Sequence, residues 1–444
     1  MTVSLCAMAV MLLLIALEVP IAVAMALPGI IGFALIVGWS PTLYMVAETT
    51  YSTVNSYSLS VIPLFILMGN LINRADISKE LYDAAYRCVG HLRGGLAIST
   101  VLACAAFAAV CGSSLATAAA MARVAYPSMK RYGYSDALAA GSIASAGTLG
   151  IMIPPSVAFM VYGIMTQTDI GKLFIAGILP GLLGAALYVG AVVVVTRINP
   201  KAGPPGERST WSQRLIALRG VWTVVGLFGL VIGGMYGGWF TPTEAAGIGA
   251  TGALLLALAR RKLTWRSLLE ILRETAATTT MLFFILIGAM IFSKFINVAG
   301  FTQVLTDFIR TAQLTPWQRM FFICLLYLVL GCFLESMAMV LLTLPIIFPV
   351  VMAVGFDPIW FGVIVVTLIE VALITPPVGM NVYMLHTLLK EIPLRTVFSG
   401  VTAFVIADIV RIGILLAFPA ISTMSSPKWF SPGSPMLSAS PRAA

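Results

Sequence analysis

The chain has 444 residues, 60% of them hydrophobic and only 10% charged, and its mean hydropathy is +1.01. A soluble domain is about a quarter charged, so this composition excludes an ordinary soluble enzyme and fits a membrane protein with many spans. The net charge of +9 then reads as basic loops held on the cytoplasmic side, not as a surface for nucleic acid.

The first apolar stretch, 1–38, is interrupted by Glu18, Pro20 and Pro28. It fits either one kinked span or a span followed by a re-entrant piece. It lacks a basic start, so no cleavable signal peptide is expected. Single spans are expected over 57–73, 173–196, 221–238, 244–259, 277–295 and 397–419. Segment 76–93 sets Lys79, Glu80, Asp83, Arg87 and Arg93 among Leu81, Ala84, Ala85 and Val89, which predicts an amphipathic helix at the cytoplasmic surface. Segment 299–312 is its expected outer counterpart.

Two longer blocks, 94–128 and 318–350, are interrupted near the middle by "CGSSLAT" and "FLESMAM". At about 1.5 Å per residue each limb reaches roughly 25 Å or less, too short for two crossings, so each block predicts a re-entrant hairpin. Two further blocks, 135–166 and 359–389, contain Pro-Pro and predict broken helices. The Ser- and Pro-rich tail 424–444 is expected to be disordered. Six cysteines without a CxxC pair read as small buried hydrophobes, and two histidines offer little for a metal site.

Basic residues orient the chain. Loop 197–219 carries Arg197, Lys201, Arg208, Arg214 and Arg219, and 260–273 carries Arg260, Arg261, Lys262, Arg266 and Arg273; both belong inside. Lys130, Arg131, Lys390 and Arg395 then also fall inside and Asp357 outside. Arg310 and Arg319 fall outside, against the rule.

The two Pro-Pro pairs, at 154–155 and 376–377, are 222 residues apart. The same offset sets Ser114 on Ser336, Ala116 on Ala338, Pro127 on Pro349, Gly133 on Gly355 and Tyr134 on Phe356. Glu335 has no clear first-half equivalent. Five expected spans separate the hairpins, an odd number, so the hairpins enter from opposite sides. The fold class is therefore an all-α polytopic membrane protein with inverted-topology repeats, each with a re-entrant hairpin and a Pro-Pro-broken helix. That pattern marks a secondary transporter with its sites near the midplane.

The expected organisation is 1–93 for N-terminal scaffold spans and an arm helix, and 94–196 for the first transport repeat. Residues 197–317 carry scaffold spans and a second arm, and 318–423 the second repeat with the last span.

Unwound backbone at membrane depth is tolerated where it lines a cavity, and its freed carbonyls suit a hard cation. One cation is expected between Ser113, Ser114, Thr117 and the first break at Thr148 and Gly150. A second is expected between Ser336 and the second break at Thr375, Gly379 and Asn381. Substrate is expected between the tips, touching Ser114, Ser156 and Asn381. The alternative is that each hydroxyl bonds only its own helix carbonyl. Among other intramembrane groups, Lys294 can snorkel and Glu370 can orient the second break or join cation coupling. Asp408 and Arg411 can neutralise each other at a spacing of three. Arg123 either attracts a carboxylate or forms a rim salt bridge. Gly181 and Gly184 suit close helix packing.

"CGSSLATAAAMARVAYPSMKRYGYSDALAAGSIASAGTLGIMIPPSVAFMVYG" with "IGKLFIAGILPGLL", and "LPIIFPVVMAVGFDPIWFGV" with "ITPPVGMNVYM", resemble the large membrane subunit of tripartite ATP-independent periplasmic (TRAP) transporters, the DctM-like permeases. The resemblance covers most of residues 1–420. It implies a bacterial inner-membrane permease working with a small four-helix DctQ-like subunit and a periplasmic DctP-like binding protein. It implies import of a small carboxylate such as a dicarboxylate, Na+ as the coupling ion, and an elevator movement with the amphipathic segments as arms. It also implies a membrane-lipid environment and no fused small subunit. The rival reading is a stand-alone sodium–anion symporter or ion antiporter of similar architecture. A membrane enzyme is disfavoured, because HExxH, GxSxG and Walker patterns are missing.

Overall fold

The computed structural model of the chain describes residues 2–311 and 314–423. The tail 424–444 and the Arg310 side chain, both subjects of expectations above, lie outside the described residues. Every regular element among the described residues is helical.

The ambiguous start resolves into two helices packed on each other, α1 (Thr2–Ala16) and α2 (Ile21–Val37). Glu18, at a φ of 61°, turns the chain between them. Next come α3 (Trp39–Val54) and α4 (Val61–Arg74), bent by 51° at the intervening residues. The span expected over 57–73 is thus the second part of a bent pair. Segment α5 (Ile77–Val89) is the amphipathic helix and buries Ile77, Leu81, Tyr82 and Ala84.

The first hairpin is α6 (Gly95–Cys111) and α7 (Ser114–Arg131). The first broken helix is α8 (Asp136–Met152) and α9 (Val157–Thr166), followed by α10 (Ile170–Ile198). Then come α11 (Trp211–Tyr236), α12 (Pro242–Ala259), α13 (Trp265–Val298) and α14 (Phe301–Thr311). The second hairpin is α15 (Pro316–Gly331) and α16 (Ser336–Val354), and the second broken helix is α17 (Pro358–Ala372) and α18 (Met380–Leu388). The chain closes with α19 (Leu394–Ala417) and the short α20 (Ala420–Thr423). Both Pro-Pro bonds are cis.

Helices α11 and α13 begin at Trp211 and Trp265, well before the apolar runs expected from 221 and 277. Their starts are set by reciprocal capping at Thr210 with Gln213 and at Thr264 with Ser267, which extends each helix through its basic lead-in.

The repeat extends beyond the hairpins and breaks. An offset of 222 carries α5 onto α14, α6 onto α15, and α10 onto α19. The starts of α7 and α16, and of α8 and α17, obey it to the residue. It also carries α2 onto α12 and the bent α3–α4 pair onto the single long α13. The packing repeats as well: α2 runs along α13, and α4 along α12. Of the seven helices long and apolar enough to cross a membrane among the described residues, five lie between the hairpins, which inverts the second repeat. A sixth is α16 itself, a hairpin limb.

Ion pairs agree with the orientation drawn from the basic loops. Arg74–Glu270 at 3.1 Å, Arg260–Glu80 at 2.7 Å and Lys262–Asp76 at 2.9 Å bring 74–80 and 260–270 to one side. Lys130 pairs with Glu391 on α7 and the loop after α18. Trp317 packs on Phe356 and Trp360 where α15 and α17 begin, at the opposite side.

Each hairpin lies on the first half of its own broken helix: α6 and α7 on α8, α15 and α16 on α17. The second halves exchange partners, with α9 packed on α16 and α18 on α7. The 136–166 segment is the interior of this arrangement, 83% buried over its apolar window, against 28% for α11. Between α10 and α11 a strap crosses the junction of α5 and α6. Gly206 N donates to Gly90 O at 2.8 Å, Gly94 N to Gly203 O at 2.9 Å, and Ser135 N to Ala202 O at 3.0 Å.

Candidate functional site

The first tip is held by backbone geometry. Gly112 takes a φ of 65°, and a Cβ there would stand 2.7 Å from the Pro155 carbonyl oxygen, so the tip abuts the first break. Ser113 caps α7, its hydroxyl accepting the Ala116 amide at 3.4 Å. The Thr117 hydroxyl donates to the Ser113 carbonyl at 2.7 Å. A Cβ on Gly150 would lie 2.6 Å from that carbonyl oxygen and 2.8 Å from Thr117 Oγ1. Ser113, Thr117 and Gly150 therefore meet, and only glycine lets α8 approach so closely. Ser114, the first residue of α7, is buried beside them.

Thr148 turns elsewhere. Its hydroxyl donates to Ser145 O at 2.7 Å and lies 3.2 Å from the Tyr188 hydroxyl. Ser156 caps α9: its hydroxyl donates to Ile151 O at 2.5 Å and accepts the Phe159 amide at 3.4 Å. That hydroxyl bridges the first break and is fully buried.

At the second break the Thr375 hydroxyl donates to Val371 O at 2.5 Å. Gly379, at a φ of 58°, brings its α-carbon beside the Thr375 carbonyl, 3.3 Å from a notional Cβ. Asn381 reaches across the repeats, its Nδ2 donating to Ala144 O on α8 at 3.1 Å. Its Oδ1 is buried without a partner among the described residues. Ser336 opens α16 and, among the described residues, shares no hydrogen bond with Thr375 or Gly379. Ser114 and Asn381 sit on the packed pair α7 and α18.

Two features escaped the sequence reading. Glu335 does have a first-half equivalent: the offset sets it on Ser113, and both are helix caps. Glu335 Oε2 accepts the Met337 amide at 2.9 Å and the Ala338 amide at 3.1 Å. A longer side chain does the same work, so identity hid the match. The second is a buried charge network. Arg411 pairs with Asp408 at 2.9 Å, as their spacing predicts, and also with Glu370 on α17. The Tyr188 hydroxyl donates to Asp408 Oδ2 at 2.7 Å, which extends the chain to Thr148. Gly184 makes room for it, since a Cβ there would meet Arg411 Nη1 at 2.1 Å. Glu370, Asp408 and Arg411 are fully buried. Lys294 pairs with Glu48 at 2.5 Å, and Arg123 is exposed on α7 with no ion pair among the described residues.

Helix α8 is the meeting point. Ala144, Thr148 and Gly150 touch the second break, the charge network and the first tip in turn.

The sequence model of the DctM component of tripartite ATP-independent periplasmic transporters matches residues 8–421. The chain is 37% identical over 404 residues to the C4-dicarboxylate TRAP transporter large permease protein DctM of Pseudomonas aeruginosa, covering 90% of this chain and 93% of that one. It is 32% identical over 384 residues to the sialic acid TRAP transporter large permease protein SiaM of Vibrio cholerae, covering 85% and 88%. Among solved structures, the YdaH transporter of Alcanivorax borkumensis shares the fold, with a TM-score of 0.60 at 12% identity over 88% of this chain and 90% of that one.

Proposed function

The chain belongs to the DctM component family of tripartite ATP-independent periplasmic transporters, and on that premise we propose that it is the large permease of a sodium-coupled importer for a small organic acid. The observation that carries the sodium reading is the first tip. There the Ser113 carbonyl and the Thr117 hydroxyl converge on Gly150 with oxygen alone, the donor type a small hard cation takes. Thr375 and Gly379 form the weaker second candidate, since Ser336 shares no hydrogen bond with either among the described residues. Substrate lies between the tips against Ser114, Ser156 and Asn381, where the unpartnered Asn381 Oδ1 and the start of α7 offer polar contacts.

Relatives of similar length carry the names of a C4-dicarboxylate and a sialic acid system. One permease fold thus accompanies different acids, which supports leaving the choice of acid to a periplasmic DctP-like binding protein. A small four-helix DctQ-like subunit completes the assembly in the bacterial inner membrane. The interlocked pair α6–α10 and α15–α19 is the moving unit of an elevator; α1–α4 and α11–α13 are its scaffold, with α5 and α14 as arms.

The test is uptake of labelled organic acids by proteoliposomes holding this chain and the small subunit, under an inward sodium gradient, with and without the binding protein. Uptake that needs both is the expected result. Uptake with sodium alone would favour the stand-alone symporter.

A further inference from the structure

A cavity of about 440 Å³ lies between α1, α14 and the second hairpin. Met8 and Leu12 of α1, Leu305 of α14, Leu326 and Leu330 of α15 and Leu342 of α16 form much of its wall. Leu12 and Leu326 are 45% and 40% exposed, so at membrane depth the slot opens sideways into the bilayer. Among the described residues its one charged lining residue is Arg319, whose Nε is buried there without a partner.

The slot has the dimensions of a lipid chain. From Arg319 to Leu330 the helix climbs about 16 Å at 1.5 Å per residue. That is the depth of one leaflet of a hydrocarbon core about 30 Å thick. Spread over that length, the volume leaves a section of roughly 28 Å². A helix with its side chains, 10–12 Å across, does not fit. Arg319 also falls on the outer side, against the orientation rule, and its unpartnered Nε leaves a donor for an anion there.

We propose that this slot seats one phospholipid of the outer leaflet, with its phosphate on Arg319 and one acyl chain along α15 between α1 and α14. The planar guanidinium suits a phosphate in two-pronged fashion. Because the wall is drawn from α1, the α14 arm and a hairpin, the lipid touches elements from both halves of the chain.

The full-length chain, purified from membranes in mild detergent, would be titrated with phosphatidylglycerol and the bound copies counted by native mass spectrometry. One lipid should bind more tightly than the rest. Arg319→Gln should weaken that binding about tenfold, and Leu326→Trp, which fills the slot, should abolish it. Both variants should keep the wild-type thermal midpoint; if either does not fold, a photo-crosslinking residue at position 326 serves in its place and should yield a lipid adduct. Equal binding by the wild type and both variants overturns the proposal, as does a crosslink from position 326 to protein.

Discussion

Gly150 concentrates the chemistry of the first tip in one missing methyl group. A Cβ there would press on the Ser113 carbonyl at 2.6 Å, which is backbone and cannot swing aside. Gly150→Ala should therefore raise the sodium concentration for half-maximal uptake by about tenfold or more, the loss of one cation contact. Ser114→Ala should impair sodium-dependent uptake while insertion and folding stay intact; unchanged sodium dependence would remove Ser114 from the site. Arg411 belongs to a different class. Arg411→Met leaves Glu370 and Asp408 buried without their counter-charge, which should cost about 3–5 kcal/mol and lower the thermal midpoint in detergent. At this scale the sequence was legible where spacing along one helix decides contact, as for Asp408 and Arg411. It was blind to Glu370 and Tyr188 joining them, because those contacts span 41 and 220 residues. It also did not show that Thr148 would turn toward Tyr188, since rotamer choice follows the neighbour that α10 supplies.

Several elements meet by close backbone approach at glycines. Gly141 on α8 and Gly400 on α19 face each other so tightly that Cβ atoms would meet Gly400 O at 2.3 Å and Ala137 O at 1.9 Å. In a bilayer such small-residue contacts replace the hydrophobic drive between helices. Gly400→Val should push α19 off α8, disturb the charge network that α19 carries, and destabilise the protein by about 1–3 kcal/mol or more. Thermal unfolding of the purified variant would measure it. By contrast, breaking the exposed Lys262–Asp76 pair by Lys262→Ala should change stability by less than about 1 kcal/mol. The hairpins and broken helices were legible because glycine, proline and a midpoint polar cluster interrupt apolar runs. The early starts of α11 and α13 were not, because hydropathy marks the membrane-embedded part of a helix and ignores its capped, basic lead-in.

For the whole molecule, the offset of 222 made the repeat readable and the odd number of spans between the hairpins its inversion, and the structure carries the same register through the arms and α19. The exchange of partners between α9 and α18 was not readable, since nothing in one strand of sequence says which hairpin a half-helix joins. The orientation makes a further prediction: cysteines placed at 201 and 262 should react with impermeant thiol reagents only from the cytoplasmic side, and one at 238 only from outside. The strap between α10 and α11 has a mechanical consequence. Its 12 residues, stretched at about 3.3–3.6 Å each, form a leash near 40 Å long. In the proposed elevator, slack of that size would not limit how far the α6–α10 unit travels against α11. Three backbone hydrogen bonds, accepted by the Gly90 carbonyl and donated by the Gly94 and Ser135 amides, fasten the leash short. If the α6–α10 unit moves as proposed, the release of this catch and not the length of the strap would govern the stroke.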